Sequence, residues 1–61
     1  MTGKEVKALR RQMRLTQREL AERTNMNKDT ICAHETTKRD LSLVNKADNT
    51  RLCEFFKQNV I

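Results

Sequence analysis

The chain contains no proline, no tryptophan, no tyrosine and a single glycine. It therefore lacks the turn punctuation on which β-sandwiches and barrels depend. Its β-branched residues never alternate over a useful length, so an all-α fold is expected. Two phenylalanines are the only aromatic residues, which gives no stacking platform for single-stranded nucleic acid. The two cysteines, Cys32 and Cys53, have no Cys-x-x-Cys spacing. They are expected to be free thiols in a soluble, cytoplasmic protein. Cys32 and His34 are two positions apart, so on a helix they point in different directions, which argues against a metal site. The one histidine has no nucleophile and orienting acid in a readable motif, and neither an enzyme nor a cofactor is expected. No long apolar run is present, so neither a transmembrane segment nor a signal peptide is expected.

What is present is charge. Thirteen Lys and Arg stand against eight Asp and Glu in 61 residues, a formal net charge of +5. One domain, residues 1–61, with a small core is all that this length allows. So large a positive excess on so small a chain favours a polyanionic partner, although a solvated basic face without a ligand gives the same total. A membrane surface fits less well, because the bases are mixed with acids and no segment joins a basic face to a wide aromatic one.

Helix starts are written clearly. Thr2-Gly3-Lys4-Glu5 is a capping box, and Val6, Leu9 and Met13 follow at helical spacing, which predicts a first helix over about residues 3–13. Thr16-Gln17-Arg18-Glu19 is a second capping box. Leu15 and Leu20 around it have the spacing of a hydrophobic staple, and a second helix is predicted from Gln17 to about Thr24 with Leu20, Ala21 and Thr24 inward. Asn27 is a suitable cap for a third helix, about Lys28 to Thr36, with Met26 and Ile31 repeating the staple. Asn25 between them tolerates a left-handed backbone better than other non-Gly residues. Beyond the polar stretch 37–40, Leu41, Leu43, Val44 and Ala47 form a short apolar set. Ser42 is a possible cap for a fourth helix, and Asp48 or Asn49 for a fifth that carries Leu52, Phe55 and Phe56. One longer helix is the alternative.

Two short helices joined at Thr24-Asn25 cannot stand alone, yet their packing positions, Leu20, Ala21, Asn25, Met26 and Ile31, are those of a helix-turn-helix. Ala21 is small where the second helix crosses, and the outward residues of helix three are free to enter a major groove. The stretch LRRQMRLTQRELAERTNMNKDTICAHETTKR resembles the lambda-repressor-like helix-turn-helix domains of the Cro and phage-repressor (XRE) type. The resemblance covers roughly residues 4–43 and is carried by Leu15-Thr16-Gln17-x-Glu19-Leu20-Ala21 with Ile31 and Glu35 downstream. It implies a bundle of five helices. Many members of that family carry Gly where Arg14, Asn25 and Thr37 stand here, and an apolar or aromatic residue at the position of His34.

The resemblance implies base contacts from Asn27, Lys28, Asp29 and Ala33. Lys28 can donate to guanine, Asp29 can accept from cytosine N4, and Ala33 can touch a thymine methyl. Asn27 can pair with adenine, unless capping occupies its side chain. Asp29 reads equally as a first-turn acid that suits the helix dipole. Backbone contacts are implied for Gln17, Thr36, Lys38 and Arg39, with Gln17 at a helix start that offers free amides to a phosphate. Arg11, Arg14 and Arg18 are weaker candidates. The family also pairs an Arg of helix one with a Glu that ends helix three, and Arg10 and Glu35 stand at those positions. The expected function is a sequence-specific, double-stranded DNA-binding regulator, a phage or prophage repressor of Cro type on a palindromic operator. A homodimer is expected through the C-terminal segment, Phe55, Phe56, Val60 and Ile61. The alternative is an antitoxin or other protein-binding module of the same fold.

Overall fold

In the computed structural model, which describes residues 1–59, the chain forms α1 (Gly3–Gln12), α2 (Gln17–Arg23), α3 (Lys28–Thr36), α4 (Leu41–Val44) and α5 (Lys46–Asn59). The described residues contain no strand; an isolated bridge joins Thr2 to Asp40. The expected all-α bundle of five short helices is therefore the fold. It measures 25 × 22 × 19 Å.

Both capping boxes close. The Thr2 hydroxyl accepts from the Glu5 amide at 3.2 Å, and the Thr2 amide donates to Glu5 Oε1 at 3.1 Å. Thr16 and Glu19 repeat the exchange at 3.1 and 2.9 Å, and these bonds hold the Glu19 carboxyl below its ordinary pKa. Asn27 caps α3, its side-chain oxygen accepting from the Asp29 amide at 2.8 Å.

The ends of α1 and α2 are twins. After α1, the Leu15 amide donates to the Arg10 carbonyl and the Arg14 amide to the Arg11 carbonyl, at 3.1 and 2.9 Å. After α2, Met26 donates to Ala21 and Asn25 to Glu22, at 2.8 and 3.4 Å. Each is a Schellman closure, which needs a left-handed residue just past the helix. Arg14 and Asn25 occupy those places, with φ of 58° and 57°. Thr37, by contrast, is extended at φ −70° and ψ 142°, so α3 ends without any call for glycine.

The core is built from Val6, Leu15, Leu20, Ala21, Ile31, Leu41, Leu52 and Phe56. Both staples are inside it or against it, Leu15 with Leu20 and Met26 with Ile31. Thr24 is also buried, its hydroxyl donating to the Leu20 carbonyl at 2.8 Å. Phe56 is buried and Phe55 half-buried, with their rings edge to face at 5.4 Å between centroids.

The C-terminal third departs from the expectation. α4 is one turn long and buries only Leu41; Leu43 is 81% exposed, Val44 47%, and Ala47 is exposed. A single turn has one inward position, so the apolar set cannot all be core. Asp40, not Ser42, caps α4, accepting from the Ser42 amide at 3.0 Å and the Ser42 hydroxyl at 2.7 Å. Asn45, extended at φ −154°, separates α4 from α5. Its side chain accepts from the Asp48 amide at 3.1 Å, so α5 begins earlier than a cap at Asp48 or Asn49 would place it.

Gly3 is required by closeness. A Cβ there would collide with the His34 carbonyl oxygen and lie 3.0 Å from that of Glu35. The start of α1 thus rests directly on the last turn of α3. Beside it, the Met1 amino group donates to Asp40 Oδ1 at 3.1 Å and to Asn49 Oδ1 at 2.9 Å.

Two measurements follow from this geometry. Arg14→Gly removes the left-handed penalty of a Cβ and is expected to raise the free energy of unfolding by about 1 kcal/mol, whereas Thr37→Gly is expected to lower it; denaturant titration reads both. Bonds from Ser42, then from the Met1 amino group, lower the Asp40 pKa from 3.8 to about 2. The stability this carboxylate contributes is complete above 3.8 and is lost as the pH falls through about 2. A carbon-13 titration of the Asp40 carboxyl should therefore show its midpoint near 2; a midpoint at the ordinary value would mean these bonds do not persist in solution.

Candidate nucleic-acid interface

The candidate surface is organised by one ion pair behind it. Arg10 of α1 grips Glu35 of α3 with two bonds, Nε to Oε2 at 2.7 Å and Nη2 to Oε1 at 3.1 Å. The third arm of the guanidinium, Nη1, donates to the Leu15 carbonyl at 2.8 Å. Only 12% of the Arg10 side chain and 3% of the Glu35 side chain remain exposed. The pair expected from the sequence is therefore formed, and it joins α1, the α1–α2 turn and α3. Gln17, the first residue of α2, adds a fourth element by donating its side-chain amide to Glu35 Oε1 at 3.3 Å. That uses one of the two amide hydrogens of Gln17, and the other is available to a ligand.

A second polar pair ties α3 to α5. His34 is buried, and its Nε2 lies 2.9 Å from Asp48 Oδ2 on α5. A carboxylate oxygen that accepts here requires a hydrogen on Nε2. Ile31, His34 and Glu35 form the inner face of α3.

Its outer face is Lys28, Asp29, Cys32, Ala33 and Thr36, all exposed. Those positions follow one stripe of a helix at i, i+1, i+4, i+5 and i+8. The middle of the stripe is small, Cys32 and Ala33, which lets a flat or grooved partner come close to the helix axis. The long cation stands at its N-terminal end. Three of the four expected base-contact residues, Lys28, Asp29 and Ala33, share this stripe, and Asn27 sits at its start. The side-chain oxygen of Asn27 is taken by the Asp29 amide. It has its NH2 to offer but not the paired donor and acceptor that adenine requires.

Among the expected backbone-contact residues, Gln17 is tied to the last turn of α3 by its bond to Glu35. Lys38 and Arg39 are exposed on the loop beyond α3, and an Arg39 amide bond to the Thr37 hydroxyl at 3.4 Å shapes that loop. The Thr36 hydroxyl donates back along the helix to the Cys32 and Ala33 carbonyls, both at 3.1 Å. It must give up these bonds to donate elsewhere. Arg18 is engaged at the surface with Glu22 at 3.5 Å. Phe56, expected at a partner surface, belongs to the core instead, because the fourteen-residue α5 turns its Leu52–Phe56 face inward. Val60 and Ile61 lie outside the described residues.

Sequence reasoning missed Lys4. It lines a groove together with Thr2, Glu35, Thr36, Thr37 and Lys38. The available signal was Gly3, a glycine at a helix position that no cap requires, which marks where the start of α1 meets another backbone.

No known protein family, no curated protein and no solved structure matches this chain. Among the described residues no helix is long and apolar enough to cross a membrane.

The buried pair gives a stability test. Arg10→Met leaves the Glu35 carboxylate buried without its cation, and a loss of about 3–5 kcal/mol is expected. Arg10→Met combined with Glu35→Leu should recover most of it. Thermal melts of the three proteins check this, and an Arg10→Met protein as stable as the parent would remove the pair from the account.

Proposed function

We propose that this protein is a sequence-specific, double-stranded DNA-binding transcriptional regulator of the lambda-repressor-like class, with α2 and α3 as its helix-turn-helix and α3 as the element that enters the major groove. The observation that carries this reading is the division of α3. One face is locked by Ile31, the His34–Asp48 pair and the Glu35–Arg10 pair, and the other is an uninterrupted exposed stripe with a small-residue centre. A B-form major groove is wide enough for one helix presented in this way. The net charge of +5 and the exposed Lys28, Lys38 and Arg39 suit a polyanion that extends past both ends of that helix.

In this reading Lys28, Asp29 and Ala33 meet base edges, Asn27 donates from its NH2, and Gln17, Lys38 and Arg39 hold phosphates on either side. Thr36 is at the margin, since its hydroxyl is already bonded. On a palindromic operator this unit would act by blocking polymerase. A homodimer on DNA is part of the proposal, because one module buries little duplex and two-fold sites are the usual remedy. Leu43 and Val44 are the large exposed apolar residues among those described and are candidates for its contact surface, together with the half-buried Phe55.

Binding selection on a random duplex library tests the proposal. A palindromic winner with half-sites about one helical turn apart is expected. Substituting Lys28, Asp29 and Ala33 together should abolish its preference while leaving salt-sensitive binding to any duplex. Enrichment of no sequence would overturn the reading and favour a protein partner, as for an antitoxin.

A further inference from the structure

We propose that the groove between the first turn of α1 and the loop after α3 is a seat for one phosphodiester of the duplex backbone, gripped jointly by Lys4 and Lys38. This rests on the DNA-binding reading and extends it to a residue and an element outside the helix-turn-helix.

The groove is lined by Thr2, Lys4, Glu35, Thr36, Thr37 and Lys38. Both lysines are exposed, and neither has an ion-pair partner among the described residues. The acids nearby are already committed. Glu5 is bonded to Thr2 in the capping box, and Glu35 is neutralised by Arg10. Two lysines without an ion-pair partner among the described residues therefore line one concavity, which suits an anion. The Thr37 hydroxyl accepts from the Arg39 amide, so its own hydrogen is free to donate into the groove.

Two features identify the anion as backbone phosphate. Thr36 belongs both to the exposed stripe of α3 and to the groove wall, so a duplex laid on that stripe brings its sugar-phosphate edge to the groove mouth. The two backbone segments that carry the lysines are also held together by a direct contact. Gly3, next to Lys4, rests on the His34 and Glu35 carbonyls, just ahead of the Thr36–Lys38 segment. A contact placed in this way fixes the orientation of a duplex and carries no sequence information.

The test uses the duplex enriched in the selection and reads affinity by fluorescence anisotropy over a range of salt. Lys4→Gln is expected to bind severalfold more weakly, equally so for every duplex sequence, with a log–log salt slope smaller by up to about 0.9. Lys4→Arg should retain parent affinity, as should Lys57→Gln, which removes an exposed charge outside the groove. A scan of single methylphosphonate replacements should then find one position that weakens the parent protein and weakens both Lys4→Gln and Lys38→Gln much less. If the parent binds the duplex but Lys4→Gln matches it in affinity and slope, the groove proposal alone falls. The same holds if the two lysine variants lose sensitivity at different phosphates. If the parent binds no duplex, the groove proposal and the DNA reading fall together. Unchanged thermal melts of the variants separate these results from misfolding.

Discussion

The Arg10–Glu35 pair is the constraint around which this small molecule is arranged. Its five-helix core has eight buried apolar residues, and four of its helices are ten residues or shorter. Isolated helices of that length are marginal in water, so their mutual positions must be set by tertiary bonds. The guanidinium supplies three of these at once, two to α3 and one to the turn that follows its own helix. A nearly buried charge pair adds little net stability, but each member is costly without the other. What the pair provides is geometry. α1, the α1–α2 turn, the start of α2 through Gln17, and the end of α3 converge on one ion pair.

The two sides of α3 show how the same nine residues can serve both the fold and a partner. Inward, a single isoleucine supplies hydrophobic anchorage, and histidine and glutamate are used where another leucine might be expected. Both are satisfied by partners from other helices, and no buried side-chain polar atom among the described residues lacks a hydrogen bond. The outer stripe is thereby left free of any structural duty except the cap at Asn27 and the back-bonded Thr36. The helix has little amphipathic contrast in sequence because its inner face is itself partly polar.

Local chemistry was legible in the sequence and tertiary chemistry was not. Thr2, Thr16 and Asn27 could be read as caps because a cap and its amide lie within three residues of each other. The bounds of α3 and the staples Leu15–Leu20 and Met26–Ile31 followed from the same short range. The Arg10–Glu35 pair, twenty-five residues apart, was reached only through family resemblance. The His34–Asp48 pair had no such guide, and His34 looked merely like a departure from an apolar position. A short fourth helix was legible, but its start was not: Asp40 and not Ser42 caps it, and its single turn buries only Leu41 of the apolar set. Phe55 and Phe56 were both placed at a partner surface, because two neighbouring apolar residues near the chain's end do not reveal which of them a core takes; the structure buries Phe56 and leaves Phe55 half-buried beside it. Lys4 escaped notice because its neighbours Thr36 to Lys38 are thirty-odd positions away, and only the contact at Gly3 brings them together.

That backbone contact at Gly3 also bears on how the exposed face of α3 can adapt. The helix is pinned at its C-terminal end by the chain of α1 and by Arg10, and at its N-terminal end by the Schellman closure at Asn25. Tilting or sliding it would break these contacts. A partner seated there meets a preorganised surface, and ordering entropy is lost only by a few side chains such as Lys28. Any mismatch in curvature or width must then be absorbed by the partner. For a duplex this makes bendability itself a property that the rigid helix can select, at base pairs it never touches.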